Sequence, residues 1–438
     1  MAAEVLSSNR FVQRSFREVG MKKLKIAVIS DIHVGLGARA KDLCPEPPKS
    51  DRKGSIKYNA KTDNAFREGF VQFVNKQEPP LTADYLILPG DLTCYAKPQE
   101  VEIASHFVLQ AADALSVPHE SILFVPGNHD VDWSTFDPAD THGVRWGQRY
   151  VAIGYEKFQF SQIIKRGSGN ILTSPHFTIW DLPDLFAVGY NSASHDKPLP
   201  EDNAHHGLAD PEDLSALRAQ LEKLVPSDDR LRLFLVHHHA FDFSNPIPKI
   251  PDFSLMTNAE HLLGVLHEYS FDILVHGHKH HPRFETHSTL TYPHLPVLCS
   301  GSFSVELDTE WAGTVENQFH LITVDGRAGP DKRISGVLTS WSKNHAKGWI
   351  PSEESTSGIH HIIPFGSYLM PAELDARLEP FISQWLTKHD HILWRDVVQQ
   401  FPDLEHLPLN SAIAAFKRME RPLGRQSMYQ TLKDLILY

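Results

Sequence analysis

Residues 25–33 read KIAVISDIH, an apolar β-prone run that ends in an aspartate and a histidine. Four further apolar runs also lead into residues that metal ions prefer: YLILP before Gly90-Asp91, SILFVP before Gly127-Asn128-His129-Asp130, LRLFLV before His237-His238-His239, and FDILVH before Gly277-His278-Lys279-His280. In an α/β protein the carboxyl ends of neighbouring strands meet at one crevice. Ligands as far apart in the sequence as Asp31 and His280 are therefore expected to meet there.

Helical periodicity between the apolar runs indicates an α/β core. Residues 62–76 and 99–115 repeat apolar side chains at helical spacing, and each segment is followed by a strand. The chain thus begins with a β-loop-α-β-α-β succession, which is typical of a sheet covered by helices. We expect residues 21–345 to form the main domain, after an extension at residues 1–20.

The end of the chain has a different pattern. Residues 346–358 include the polar stretch PSEESTSG and are predicted to be a linker. Beyond it the spacing of apolar residues is helical in four places: 373–387, 392–401, 411–419 and 426–437. Residues 359–438 are therefore predicted to be a small helical module.

The composition restricts the class of protein. The chain has 438 residues, of which 41% are hydrophobic and 22% charged, as in ordinary globular proteins. Its net charge of −12 argues against broad attraction to nucleic acid or to an anionic membrane surface. The three cysteines are widely spaced, so they offer neither a disulfide framework nor a CxxC zinc site. Because no apolar run suits a signal peptide or a membrane span, we expect a cytoplasmic protein without membrane association.

Each motif is ambiguous when it stands alone. Asp31 and His33 are two positions apart and face the same side of an extended chain, but a strand-end aspartate often only makes a turn. Gly90-Asp91 offers a carboxylate that can bridge two cations, or merely marks a turn. The run from Gly127 to Asp130 is more specific, because it combines an amide, an imidazole and a carboxylate.

The histidine runs leave the choice of ligand open. Alternation sends the side chain of His238 away from those of His237 and His239 while the chain stays extended. We favour His237, the first residue after the strand, as the ligand, and the other two would then line the pocket or contact solvent. His278 and His280 are again two positions apart and suit two adjacent ions.

Taken in order, the five motifs resemble those of the calcineurin-like metallophosphoesterase superfamily, namely DxH, GD, GNH[DE], a later histidine and GHxH. The resemblance implies a four-layer α/β/β/α sandwich with two metal ions at the strand ends. It implies one ion held by Asp31, His33, Asp91 and His280, and a second held by Asp91, Asn128, His237 and His278. After His237 the chain departs from the common pattern, since it has His-His-Ala where the family often has a proline.

A dimetal hydrolase is the activity that this resemblance implies. Nitrogen and oxygen ligands with a shared carboxylate suit manganese, iron, zinc or nickel, without choosing among them. Two such ions share a water, lower its pKa and clamp a phosphoryl group, so the attacking group is a metal-bridging hydroxide. By analogy with the family, His129 would stabilise the developing charge or protonate the leaving oxygen, with Asp130 holding its tautomer.

The substrate is predicted to be a phosphodiester, such as a nucleotide, a cyclic nucleotide or a nucleic acid. Trp133 and Trp146 could stack a nucleobase or simply belong to the core. Two alternatives stay open: a phosphomonoesterase, including a protein phosphatase, and a metal-containing binding or adaptor protein that acts through its helical tail. That tail carries the basic residues Lys417, Arg418, Arg421 and Arg425.

Overall fold

The computed structural model describes most of the chain, namely residues 21–36, 38, 40–44, 65–132, 170–174, 176–196, 206–225, 228–241, 255–288, 294–305, 315–328, 333–344, 346–367, 369–429 and 435–437. Three features predicted from the sequence lie outside these residues: the N-terminal extension at residues 1–20, Trp133 and Trp146.

The strands of the described residues are, in chain order, β1 (Leu24–Val28), β2 (Tyr85–Leu88), β3 (Ile122–Phe124), β4 (Asn170–Thr173), β5 (Phe177–Asp181), β6 (Leu185–Tyr190), β7 (Leu231–Val236), β8 (Ile273–His276), β9 (Arg283–His287), β10 (Leu295–Cys299), β11 (Gln318–Ala328), β12 (Arg333–Asn344), β13 (Gly348–Pro351), β14 (Ile362–Phe365), β15 (Ile392–Leu393), β16 (Ser427–Tyr429) and β17 (Leu435–Leu437). The α-helices are α1 (Phe66–Lys76), α2 (Pro98–Ala114), α3 (Pro211–Leu224), α4 (Ala259–Glu268), α5 (Glu354–Ser357), α6 (Pro371–Leu386), α7 (Trp394–Gln400) and α8 (Leu409–Leu423).

Two mixed sheets form the centre of the fold. The first sheet has the order β13, β12, β11, β1, β2, β3, with β14 also paired to β12. The second has the order β4, β5, β6, β7, β8, β10, β9. In the first sheet β1, β2 and β3 are parallel, and in the second β6, β7, β8 and β10 are parallel. Parallel neighbours need crossover connections, and these are supplied in part by the helices that the sequence pattern predicts.

Alternate residues of β1 separate the layers. Ile26 and Val28 are buried against the second sheet, whereas Ala27 and Ile29 are buried under α1 and α2. The far side of the second sheet is covered in the same way by α3 and α4. The order of layers is therefore helix, sheet, sheet, helix, which confirms the predicted four-layer α/β/β/α class. None of the described helices is both long and apolar enough to cross a membrane.

The C-terminal part of the chain adds strands to the first sheet and then forms a module with its own core. Residues 346–358, predicted as a linker, contain β13 and the short helix α5, and the nearby strand β14 pairs with β12 of the first sheet. The following helices, α6 to α8, share an apolar core of their own. This module contacts the first sheet where His406 Nε2 lies 3.1 Å from Asp325 Oδ2. The division of the chain near residue 358 stays a prediction.

The last predicted helix is wrong. Residues 426–437 contain β16 and β17, which pair with each other, and β17 also pairs with β15. Gly424 has a left-handed φ of 61° and ends α8, so the helix does not continue into this segment. Residues 435–437 are all apolar, and such a short run fits a buried strand as well as a helix.

Candidate metal centre

The five motifs lie at the carboxyl ends of β1, β2 and β3 in the first sheet and of β7 and β8 in the second. Backbone hydrogen bonds join these ends, from Asp31 N to Gly90 O at 3.1 Å and from Gly277 N to His237 O at 3.1 Å. The strand ends of both sheets thus bring together residues from across the sequence, as the pattern predicts.

One group of donors contains Asp31, His33, Asp91 and His280, whose ligand atoms all lie within 4.8 Å of one another. His280 Nε2 is 3.2 Å from Asp31 Oδ1, and His33 Nε2 is 3.4 Å from Asp91 Oδ2. All four side chains are withdrawn from solvent, with exposures of 14% or less. These are the four residues predicted for the first ion.

A second group is centred on His237. Its Nε2 lies 3.1 Å from His278 Nδ1 and 3.2 Å from Asn128 Oδ1. The same nitrogen is 3.2 Å from Asp91 Oδ2, the oxygen that also faces His33. The other oxygen of Asp91 accepts a hydrogen bond from His129 N at 2.9 Å, which fixes the orientation of the carboxylate. Asp91 therefore lies between the two groups.

Two glycines allow this close approach. A Cβ atom at Gly127 would lie 2.0 Å from Asp91 Oδ1, and one at Gly90 would lie 2.5 Å from His237 Nδ1. Gly90 also has a φ of +99°, a backbone conformation that residues other than glycine rarely adopt. Any larger residue at either position would displace a predicted ligand.

The donors suit a metal ion chemically. His237 Nδ1 donates to Pro89 O at 2.7 Å, so its Nε2 can present a lone pair to the centre. There it faces the oxygens of Asn128 and Asp91, so either a proton on Nε2 or a bound metal ion can link these atoms. His33 Nε2 is buried and forms no hydrogen bond with any described residue. Nitrogen and oxygen donors of this kind fit divalent first-row ions.

The electrostatics also favour positive charge. Burial alone raises the pKa values of Asp31 and Asp91, but His280 and His237 lower them well below the usual range. Burial lowers the pKa of His237, whereas Asp91 and Asp31 raise it more strongly, to about 9. The carboxylates are thus ionised in a buried site, and their charge requires compensation by protons or by cations.

His129 stands beside the first group. Its ring lies 4.7 Å from that of His33, centroid to centroid, and its Nδ1 is 3.0 Å from the carbonyl oxygen of Cys94. Burial lowers the pKa of His129 to about 4. Because the Cys94 carbonyl can only accept, it fixes the proton on Nδ1 and directs the lone pair of Nε2 away from this contact.

Asp130 does not orient His129 through the predicted side-chain contact. Its carboxylate accepts hydrogen bonds from the backbone nitrogens of Leu92, Thr93 and Gly127 at 3.2, 2.9 and 3.1 Å. Residues 128–130 form a 3₁₀ turn, in which consecutive side chains diverge by about 120°. Asp130 therefore links the loops after β2 and β3. The contact with the His129 ring that we predicted for Asp130 is made by the Cys94 carbonyl.

His238 is a buried donor that the alternation argument missed. Strand β7 ends at Val236, so alternation no longer applies to the three histidines that follow. The ring of His238 lies 4.4 Å from that of His278, and the two belong with His237 to one cluster of possible ligands. Ser192 Oγ is 2.8 Å from His238 Nδ1. His239 instead packs on His276, with 4.2 Å between ring centroids.

The backbone at the predicted ligands has an uncommon conformation. Five of them have a positive φ although they are not glycines: Asp31 (53°), His33 (50°), Asp91 (54°), His278 (76°) and His280 (59°). Residues other than glycine are uncommon in this region. Such conformations collect at functional sites, where the surrounding structure holds them in place.

The basic residues of the helical tail are partly engaged within the module. Arg418 forms two hydrogen bonds to the Asp375 carboxylate, at 2.7 and 2.8 Å. Arg425 Nη1 is 3.4 Å from Asp390 O. Lys417 and Arg421 remain exposed. The adaptor hypothesis therefore rests on fewer exposed cations than the sequence suggests.

Solved structures with a similar fold are distant in sequence. A purple acid phosphatase from yellow lupin (Lupinus luteus) seeds has 16% identity and a TM-score of 0.40; the match covers 75% of this chain and 52% of the lupin chain, about half its length. The protein TT1561 of Thermus thermophilus has 15% identity and a TM-score of 0.35, over 69% of this chain and 94% of that one. The phosphopantetheinyl hydrolase of Mycobacterium tuberculosis has 14% identity and a TM-score of 0.33, over 65% and 91%. These similarities are too distant to bear on the substrate.

A search of the curated proteins returned no match. The sequence profile of the calcineurin-like phosphoesterases matches residues 24–282, more than half of the chain. The matched part begins at the first residue of β1 and includes all five motifs. The chain therefore belongs to the calcineurin-like phosphoesterase family and is a metal-dependent hydrolase of phosphoester bonds.

Proposed function

We propose that the protein hydrolyses phosphodiesters at a centre of two divalent ions, manganese, iron, zinc or nickel, with the ligands Asp31, His33, Asp91 and His280 for one and Asp91, Asn128, His237 and His278 for the other. The position of Asp91 carries the proposal, because its Oδ2 lies 3.4 Å from His33 Nε2 and 3.2 Å from His237 Nε2. When bound, two such ions act as Lewis acids toward the phosphoryl oxygens and lower the pKa of water at the centre.

His129 would serve the leaving group. Its Nδ1 is held by the Cys94 carbonyl, which leaves Nε2 as the nitrogen that exchanges a proton with substrate. Burial lowers the pKa of the ring to about 4, and an anionic phosphoryl group beside it would raise that pKa again. Nε2 would then carry a proton and give it to the leaving oxygen as the ester bond breaks.

A nucleotide is the substrate that the surroundings of His129 support best. Tyr95 directly follows Cys94, and its side chain is 46% exposed although it is aromatic. Lys97 Nζ lies 5.3 Å from the centroid of the Tyr95 ring. An exposed aromatic ring can stack a base, and a neighbouring cation can contact a phosphate. We therefore favour a nucleotide, a cyclic nucleotide or a nucleic-acid end over a substrate without a base.

A panel of esters tests this function. The metal-loaded protein would be assayed on bis(p-nitrophenyl) phosphate, on cyclic and dinucleotide diesters, and on p-nitrophenyl phosphate and a phosphopeptide as monoesters. We expect higher kcat/KM on diesters, highest on those with a base. Inactivity on every diester, with turnover of a monoester, would sink the diesterase proposal and leave a phosphomonoesterase or protein phosphatase.

Tyr95→Ala sharpens the test of substrate class. We expect it to raise KM for nucleotide diesters about tenfold, because a base stacked on an aromatic ring contributes about 1–3 kcal/mol. It should leave KM for bis(p-nitrophenyl) phosphate within about twofold. Equal effects on both substrates would speak against base stacking. The cytoplasmic location expected from the sequence stays a prediction.

A further inference from the structure

A separate set of metal-ligating side chains lies beside the first turn of α3. His176 precedes β5, His195 lies in the turn of residues 191–196 after β6, and Asp213 is the third residue of α3. One ligand atom from each lies within 4.8 Å of the other two. We propose that His176, His195 and Asp213 bind a further divalent ion, best matched by Zn²⁺, outside the candidate metal centre.

The two rings aim at one place. His176 Nδ1 and His195 Nε2 each lie 3.0 Å from the same oxygen, Asp213 Oδ2. The rings are nearly parallel, at 16°, with 5.6 Å between their centroids. His176 Nδ1 is buried, yet within the described part of the chain it makes no hydrogen bond. His195 Nε2 and Asp213 Oδ2 form a hydrogen bond, whereas the third ligand atom, His176 Nδ1, converges on the same oxygen without one.

The distances lie between those of a charged hydrogen bond and those of two ligands on one ion, so the unbonded His176 nitrogen decides between them. Hydrogen bonds between a protonated imidazole and a carboxylate are typically about 2.7–2.9 Å long. Two ligands that each lie about 2.0–2.1 Å from a tetrahedral zinc ion are separated by about 3.3 Å. The observed 3.0 Å lies between these values, and the unbonded nitrogen of His176 favours coordination. Two imidazoles and one carboxylate are also a frequent protein ligand set for zinc.

The backbone holds all three residues in place before any ion arrives. His176 O accepts a hydrogen bond from Asn191 N at 2.7 Å, which joins the start of β5 to the turn that carries His195. Asp210 caps α3 through the backbone nitrogens of Glu212 and Asp213, at 2.9 and 3.2 Å. Three separate elements are thus fixed around the donor atoms. The side chains are 12–15% exposed, so an ion can enter from solvent.

Another candidate cluster does not meet the same chemical requirement. His239, His276 and Cys299 also bring their ligand atoms within 4.8 Å. The Cys299 thiol, however, donates to His281 O at 3.1 Å, and burial raises its pKa far above the ordinary value. A protonated thiol is a poor ligand. The cluster of His176, His195 and Asp213 needs no such deprotonation, because a carboxylate is already ionised at neutral pH.

An ion at this position would also stiffen the turn of residues 191–196. The turn contains Ser192, whose Oγ is 2.8 Å from His238 Nδ1. His238 in turn contacts His278 of the candidate metal centre, with 4.4 Å between ring centroids. The proposed zinc would thus have a structural role, because it would hold the turn that contacts His238 next to the candidate metal centre.

Zinc content measures the proposal directly. The full-length protein would be stripped with a chelator, saturated with Zn²⁺, desalted and analysed by plasma mass spectrometry. We expect His195→Gln and Asp213→Asn each to hold one zinc fewer than the wild-type protein. His261→Gln is the matched control, since His261 pairs with Glu260 at 3.8 Å and is 57% exposed. This control should keep the wild-type content.

Two further readouts keep the test decisive. His195→Gln should retain hydrolysis of bis(p-nitrophenyl) phosphate within about twofold, because His195 is outside the proposed catalytic centre. The zinc-induced rise in Tm should be smaller in this variant than in the wild type. Equal zinc content in the wild type and both variants would overturn the proposal. If the variants fail to fold, X-ray absorption of the zinc-loaded wild type decides. A zinc content that the ligands of the dimetal centre account for completely would likewise overturn the proposal.

Discussion

His129 is the residue on which turnover depends in the proposed mechanism. We expect His129→Ala to lower kcat by about a hundredfold or more, since proton transfer by a positioned side chain contributes about 10²–10⁴-fold. The metal content should stay at the wild-type value, because the predicted ligands surround the ions without it. Steady-state kinetics and metal analysis on the same preparation check both points. Loss of metal together with activity would make His129 a ligand or a structural residue instead.

The left-handed backbone at the ligands should affect the stability of the protein even when no metal is bound. His33 has a φ of 50°, where glycine is tolerated better than alanine. In chelator-treated protein we expect His33→Gly to exceed His33→Ala in free energy of unfolding by about 1 kcal/mol. Gln77 has a φ of −66° and provides the control pair, for which alanine should be the more stable. Urea unfolding that ranks both pairs alike would contradict the expectation.

Gly127 tests how tightly the centre is built. A Cβ at this position would lie 2.0 Å from Asp91 Oδ1 and 2.6 Å from Asp91 N. Gly127→Ala must therefore displace the carboxylate that both ions are proposed to share, and we expect a loss of metal affinity of at least about tenfold. Gly264→Ala is the control, because its nearest neighbour would be Arg218 Nη2 at 3.6 Å. Unchanged metal affinity in Gly127→Ala would contradict the proposed sharing of Asp91.

Among the elements, β11 is linked to the residue before β8 by a partly buried ion pair. Arg327 donates to both oxygens of Asp272, at 2.7 and 2.6 Å, and the side chains are 16% and 11% exposed. Burial raises the pKa of Asp272, and Arg327 opposes this effect. Removing the arginine leaves a partly buried carboxylate that keeps its hydrogen bond from Arg232 N but loses its bidentate charge partner.

We expect Arg327→Met to lower the free energy of unfolding by about 3 kcal/mol. Arg218→Met removes an ion pair of similar length, to Glu268 at 2.9 Å, but its side chains are 36% and 48% exposed. That control should cost about 1 kcal/mol or less, because water screens exposed pairs. Denaturant unfolding compares the two variants, and equal losses would show that burial does not set the strength of the pair.

Elements with clear local signals are predicted well from the sequence. Helix α3 begins after Asp210 and extends from Pro211 to Leu224, as the cap and the proline indicate. The hairpin of β5 and β6 follows equally from two apolar runs around a polar turn. Residues 426–437 lack such signals, because a run of three apolar residues fits a strand or a helix. The strand end at Val236 is likewise not marked, which is why the alternation argument failed for His238.

At the scale of the whole molecule, Asp325 links the helical module to the first sheet. Burial raises its pKa, but Lys23 and His406 outweigh this effect and lower it below the ordinary value. A carboxyl group with a lowered pKa stabilises the fold above its unfolded pKa of about 3.9, and this contribution is lost as the pH falls through the folded pKa. The contact should therefore weaken only in acid.

We expect Asp325→Asn to unfold at a lower urea concentration than the wild type at pH 7. The difference should shrink as the pH falls below about 4, since the wild-type carboxyl then becomes neutral like the amide. Urea midpoints measured between pH 7 and pH 3.5 provide the comparison. A difference that stays constant over this range would mean that the charge of Asp325 does not contribute.

The candidate centre was largely foreseeable, because strand ends gather ligands whatever their separation in sequence. The positions of Asp31, Asp91 and His280 follow from that rule alone. The contact of His129 with the Cys94 carbonyl does not, since a backbone acceptor leaves no trace in the sequence. The cluster of His176, His195 and Asp213 was also missed, because three single residues on separate elements form no motif.

The position of β1 also sets an order of assembly during synthesis. β1 is flanked by β2, which is made soon after it, and by β11, in which His320 to Val324 pair with Val28 to Leu24. A nascent chain that has already released all five motifs, the last ending at His280, still leaves one edge of β1 bare. Open edges invite pairing with other chains. One edge of β1, the strand that leads into the first ligands, therefore stays unpaired until β11 has been synthesised. During that interval we expect chaperones to shield this edge.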